Sequence, residues 1–168
     1  MNNVQQSSKR WLPLGWKVMA GWGWLNIIFA VIVPLVTLLV SPTMMTYGSD
    51  DAKFTGASWD KIVALSPELG FWIGLTMIAM CMMMMAYGIL QVKVSKIPYR
   101  RGERWAWRAL LWSNLLYFIY GAGLTFTFFS RGIYGSFTSG ISVGLPFLVV
   151  WVLVLIFGLW LPRLELNQ

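Results

Sequence analysis

The sequence predicts an all-α, polytopic four-helix bundle embedded in a membrane, and three observations carry that reading. Hydrophobic residues make up 58% of the 168 positions and charged residues only 11%, with a mean hydropathy of +0.65; a soluble domain usually carries about 25% charged residues. Uncharged runs cover 18–49, 69–92, 109–130 and 132–162, each longer than the roughly 20 residues that cross a hydrocarbon core. The charges that remain gather between these runs beside tryptophans, as expected at a membrane interface. The whole chain, 1–168, therefore reads as a single membrane domain with spans at about 18–40, 67–92, 105–128 and 142–162.

The first span follows a polar segment, 1–10, and a Trp11-Leu12-Pro13 step expected to lie at the headgroups. The basic residues before it resemble a signal-peptide start, but the run exceeds an h-region of about 7–15 residues and no A-x-A-like site follows, so it is expected to stay uncleaved. Trp11, Trp16, Trp22 and Trp24 suit the interface as anchors. Gly23, Asn26, Ala30, Val33 and Thr37 recur at helical spacing and predict one small or polar face turned into the bundle. Pro34 removes the donor for the Ala30 carbonyl, and a kink is expected there.

An outer loop, 41–66, is predicted to hold a short interfacial helix capped by Ser58 and carrying Trp59, Ile62, Val63 and Leu65. Ser66-Pro67-Glu68 then opens the second span, with a capping serine, proline at the first helical position and an acid at the positive end of the dipole.

The second span contains Met77, Met80, Cys81, Met84 and Met85 on one helical face. Soft sulfur ligands suit Cu(I), and the M-x3-C-x3-M spacing resembles the sulfur-lined pores of trimeric, three-span copper transporters. The rest of the chain departs from that family, having four predicted spans and only Met44 and Met45 in its outer segment. Methionine filling gaps in a bundle, or facing lipid, explains the same pattern without metal.

The stretch from Lys93 to Trp112, the hinge of the chain, holds six of the thirteen basic residues, most of them in a basic inner loop, 93–104. Pro98 and Gly102 are expected to break the helix, with Glu103 starting the third span and available to pair with Arg100 or Arg104. Arg100, Arg104 and Arg108 fall four residues apart and are predicted to form one row, with Arg101, Trp105 and Trp107 beside it, against anionic lipid headgroups. The string from Pro98 to Trp107, PYRRGERWAW, resembles a segment of uncharacterised small four-span bacterial membrane proteins. That resemblance covers the second and third spans and their link, and implies no activity.

In the third span Asn114, Tyr117, Gly121 and Thr125 form a second small or polar face. Asn26 and Asn114 lie at similar depth, which predicts an intramembrane polar contact among Asn26, Asn114 and Tyr117. Gly70, Gly74, Gly121, Gly123, Gly140 and Gly144 predict close backbone approach in the outer half, leaving any cavity to the inner half. Arg163 and Glu165 close the last span.

Ten basic residues fall on the side holding both ends and the 93–108 segment, against three, Lys53, Lys61 and Arg131, on the other. Positive residues favour the cytoplasm, so both termini are expected inside (N-in/C-in). The chain has no Asn-x-Ser/Thr sequon, and a prokaryotic inner membrane is the expected location.

Histidine is absent and Cys81 is the single cysteine, which removes zinc hydrolysis, the usual general base and a C-x-x-C redox pair. No glycine-rich phosphate loop occurs, and no ionisable side chain lies in a span core where coupled transport normally needs one. An enzymatic role on lipids would have to use Glu103, Tyr87 or Asp60, whose spacing supports no joint chemistry. No catalytic residue, no cofactor and no nucleic-acid partner is therefore predicted. The leading expectation is a non-catalytic protein acting by binding, as an accessory subunit, homo-oligomer or lipid-associated scaffold. The alternative is an uncoupled carrier or channel for a small apolar solute or Cu(I).

Overall fold

The computed structural model describes residues 10–45, 47–134 and 145–166, which fold into seven α-helices with no strand among the described residues. Four apolar stretches are long enough to cross a membrane: Trp11–Leu39, Pro67–Tyr99, Arg104–Phe129 and Pro146–Glu165. In chain order, α1 is Trp11–Leu39, and the short helices α2 (Pro42–Met45), α3 (Ser49–Thr55) and α4 (Trp59–Leu65) make the connection to α5 (Pro67–Val94). A π turn, Ser95–Tyr99, extends α5 toward α6 (Arg104–Phe129). Helix α7 (Leu145–Leu155) ends through a π turn, Ile156–Trp160, and a 3-10 turn, Leu161–Glu165. The predicted polar segment 1–9, the loop tip at 135–139, the glycines at 140 and 144 and the start of the fourth span at 142 lie outside the described residues.

Helix α1 begins at Trp11, seven residues before the expected 18. A distant acid explains the difference. The Glu165 carboxylate accepts hydrogen bonds from the backbone N–H groups of Arg10 (3.0 Å), Trp11 (3.0 Å) and Leu12 (2.8 Å). Those are donors that a helix start leaves without partners, and an anion there also complements the dipole. Glu165 thus caps α1 and joins both ends of the described chain on one side. Pro34 sits inside α1, and the helix continues past it to Leu39.

Helix α1 packs most extensively along α5 and, at its beginning, against the last turns of α7; α6 packs on α7. Two crossings use glycine for close approach. A Cβ at Gly88 of α5 would lie 2.7 Å from the Gly23 carbonyl oxygen of α1, and one at Gly158 would collide with the Met19 sulfur. Gly15 faces Pro162 in the same manner. These tight contacts involve the middle and the basic end of the bundle, in addition to the outer half where the sequence predicts close approach. Gly74 and Gly123 have nothing within 4 Å of a built Cβ, while Gly70 meets Val63 of α4 and Gly121 meets Trp151.

Trp151, 1% exposed, centres the interior. Its ring meets Trp22 of α1 (5.7 Å between centroids), Tyr117 of α6 (4.7 Å) and Phe147 of α7 (5.2 Å), and Tyr117 in turn meets Tyr87 of α5 (5.5 Å). One aromatic cluster therefore joins all four spans, each pair adding roughly 0.5–1.5 kcal/mol beyond burial. A second cluster, Leu12, Met19, Tyr99, Ala106, Leu110 and Leu159, fills the basic end.

At the opposite end the connection 41–66 forms three short helices in place of the single one expected. Ser58 caps α4 through the Lys61 N–H (3.4 Å), and Ser66 caps α5 through the Leu69 N–H (3.3 Å), as the sequence predicts. Tyr47 is buried, hydrogen-bonded to Thr55 and to the Ala57 carbonyl, and its ring lies against Trp59. Phe54 stacks on Phe128 at 4.7 Å and Arg131 donates to the Phe54 carbonyl, so α3 is docked on the end of α6. Burial pushes the Asp51 carboxyl above its ordinary value, more than its hydrogen bond from the Gly48 N–H lowers it, with neighbouring Asp50 adding to the rise.

Candidate functional site

The basic end is built around a hinge in which Pro98 does not break the helix. The π turn shifts the bonding so that Arg100 N–H reaches the Ser95 carbonyl, five residues back, at 3.1 Å, and proline is absorbed where an ordinary turn would need its donor. The backbone turns away at Gly102, whose φ of +81° is open to glycine at little cost. Glu103 is extended and α6 starts at Arg104.

Two side chains of this hinge lock onto the end of α7. Pro162 has no N–H, so the Gly158 carbonyl four residues earlier loses its helical donor; the fully buried Tyr99 hydroxyl donates to that oxygen at 2.6 Å. The Trp107 indole N–H donates to the next carbonyl, Leu159, at 2.9 Å. With Glu165 on the start of α1, backbone groups at three helix-end positions are bonded by side chains from distant parts of the sequence.

The interruption at Gly102 divides the expected arginine row. Arg104 and Arg108 remain one turn apart on α6 and, together with Arg163, Trp107, Leu164 and Leu166, line an open basin of about 300 Å³. Arg100 instead joins Lys17, Leu12, Pro13 and Trp16 around a second basin of about 440 Å³, with its guanidinium 5.2 Å from the Trp16 ring centre. Arg101, exposed on the turn, lines neither basin. The expected Glu103–arginine pairing is not formed: the Glu103 carboxylate takes the Trp105 indole N–H at 2.6 Å, and Trp105 is exposed. Among the described residues Arg100, Arg104, Arg108, Arg163 and Lys17 make no ion pair. Two cations stack on interface rings, Lys96 over Trp24 and the basin residue Arg163 over Trp160 at 4.0 Å, an attraction of about 0.5–1 kcal/mol when exposed.

No family model, no curated protein and no solved structure matches the chain. The chemistry of the site alone carries the functional reading.

The polar residues expected to meet inside the bundle do not bond to one another. Asn26 donates to the Trp22 carbonyl (2.9 Å) and Asn114 to the Leu110 carbonyl (2.8 Å), each within its own helix. Tyr117 contributes its ring to the Trp151 cluster. Among buried amides it is Gln91, not singled out in the sequence, that crosses between helices, donating to the Met19 carbonyl at 3.1 Å.

The sulfur face of α5 is divided by exposure. Cys81 is buried, Met77, Met84 and Met85 are half-buried, and Met80 is exposed like its neighbours Met82 and Met83. From other elements, Met19 is engaged with Gly158 and Met44 is exposed on α2. Sulfur donors from a second helix are thus not gathered opposite Cys81 among the described side chains. Nor are Glu103, Tyr87 and Asp60 brought together: they lie at the basic end, in the aromatic interior and on exposed α4 respectively.

Lys17, Trp16 and Arg163 are basin residues that the sequence did not single out for binding. Lys17 and Arg163 flank the first and last uncharged runs, and both ends of the chain had been expected on the same side as the hinge. The signal available was that shared side; what was missing was which cations converge.

Proposed function

We propose that this is a small non-catalytic membrane protein that acts by binding, held with its basic end against anionic lipid headgroups on the cytoplasmic face of a prokaryotic inner membrane. The observation that carries this reading is the pair of open basins whose five cations have no carboxylate partner among the described residues and whose walls are tryptophan, leucine and proline. Such walls suit the boundary between headgroups and acyl chains, and a basic side chain near an anionic surface gains about 1 kcal/mol. A membrane-anchored accessory or scaffolding role follows, with the same face available to a second copy or a larger complex. A Cu(I) or solute carrier would have to draw on α5 sulfurs alone, of which only Cys81 is buried.

The test is anionic-lipid retention by the protein in mixed phosphatidylcholine and phosphatidylglycerol nanodiscs. Wild type is expected to enrich phosphatidylglycerol at low salt and to lose that enrichment as salt shortens the Debye length from about 10 Å at 0.1 M to 3 Å at 1 M. Replacing Lys17, Arg100, Arg104, Arg108 and Arg163 together with Gln should abolish enrichment while leaving the helical content unchanged. Unaltered enrichment in that variant, with loss of a measurable transport or enzymatic activity, would overturn the reading.

A further inference from the structure

The two basins differ in charge and in construction. The second pairs one arginine with one lysine, a charge suited to a phosphodiester, which carries one negative charge. The first is lined by three arginines from two separate elements: Arg104 and Arg108 stand on successive turns of α6, and Arg163 is in the 3-10 turn that follows α7. Like charges so placed repel unless a multivalent anion sits among them. Guanidinium forks match phosphate oxygens bidentately where an ammonium acts as a point charge.

The convergence is held by the fold. Trp107 lies between Arg104 and Arg108 in sequence and walls the basin, and its indole N–H to the Leu159 carbonyl fixes α6 against the end of α7, four residues before Arg163. On the neighbouring turn Arg163 is laid over the Trp160 ring at 4.0 Å. Leu164 and Leu166 supply an apolar side to the same basin. The arrangement therefore offers arginines from two elements, a fixed indole and a greasy flank, which together fit a phosphate on an apolar stem better than a bare ion.

We propose that Arg104, Arg108 and Arg163, gathered around Trp107, form one phosphomonoester-binding site, distinct from the Lys17–Arg100 basin. A phosphomonoester carries about 1.5 to 2 negative charges near neutral pH and presents three free oxygens, so it answers three guanidiniums where a phosphodiester leaves charge unmatched. The inference rests on the lipid-contact reading and adds ligand class, stoichiometry and place to it.

The experiment is native mass spectrometry of the full chain released from nanodiscs of phosphatidylcholine containing equal small fractions of phosphatidic acid, a phosphomonoester lipid, and phosphatidylglycerol, a phosphodiester lipid. The expected result is one retained phosphatidic acid per chain, preferred about tenfold. Arg104→Gln/Arg108→Gln/Arg163→Gln should remove the preference, and Lys17→Gln/Arg100→Gln should leave it. A charge-preserving variant, Arg104→Lys/Arg108→Lys/Arg163→Lys, guards against misfolding: it should keep general retention of anionic lipid and lose most of the preference for phosphatidic acid. Millimolar glycerol 3-phosphate distinguishes the source. Displacement of the lipid supports a phosphomonoester site open to soluble ligands, and failure to displace supports a lipid headgroup site. Equal retention of the two anionic lipids, with both still lost in the five-cation variant, would overturn this inference and spare the lipid-contact reading. Loss of neither in any variant would overturn both.

Discussion

Tyr99 and Asn114 are both fully buried polar side chains, yet they bear differently on stability. Tyr99 serves a carbonyl that Pro162 has deprived of its donor, so Tyr99→Phe leaves the Gly158 oxygen buried without a partner. The loss should be about 1–3 kcal/mol, the usual cost of orphaning a buried group. Asn114 spends its amide N–H₂ on the carbonyl of its own helix, and its Oδ1 has no partner among the described residues. Asn114→Leu should therefore change stability by less than about 1 kcal/mol, in either direction, because an unsatisfied acceptor disappears with the bond. Thermal unfolding in detergent compares the two; a loss from Asn114→Leu as large as that from Tyr99→Phe would mean that the amide has an interhelical partner after all. The sequence made Asn114 visible as a polar residue on a helical face. It left open what that residue touches, because an amide can satisfy itself four residues back, and nothing in spacing separates that from a bond across helices.

At the scale of elements, helix positions were legible because bilayer thickness imposes a length on any uncharged run, and the caps at Ser58 and Ser66 were legible because capping is local. The start of α1 was not, since its cap comes from Glu165 at the far end of the chain. Glycine usage was legible only in part for a related reason: small residues permit close approach, but the rotation of each helix about its axis decides which of them meets a neighbour. Gly88→Val should destabilise the bundle by at least about 1–3 kcal/mol, the cost of overpacking, because the obstacle is the Gly23 backbone oxygen and not a side chain that can swing aside. Gly74→Ala, in the same helix, meets open space and should be neutral or gain up to about 1 kcal/mol from helix propensity. Unfolding midpoints of the two variants would check both, and a clear loss from Gly74→Ala would place a packing partner beside Gly74, where the described residues show none within 4 Å.

For the molecule as a whole, the same-side placement of the two ends and the direction in which that side faces have different causes. Glu165 capping α1 at Trp11 ties the two ends of the described chain together irrespective of orientation, whereas the expected direction rests on ten basic residues on that side against three on the other. The hinge belongs to both effects, since it supplies six of the cations and also the Tyr99 and Trp107 locks. Its charge was readable in the sequence, but the parting of Arg100 from Arg104 was not, because the row assumed a helix through Gly102, where the backbone turns at positive φ. Cysteine accessibility isolates the direction. In a Cys81→Ala background, cysteines at Ser49 and Ser58, both exposed beside α3 and α4, should react with an impermeant thiol reagent added to intact cells. A cysteine at Lys96 should stay unreactive until the membrane is opened; Lys96 is exposed, while neighbouring Ser95 is fully buried and would stay silent on either side. Labelling at Lys96 but not at Ser49 or Ser58 in intact cells would reverse the orientation, carrying both basins to the outer leaflet while leaving the helix packing and the shared side of the two ends untouched.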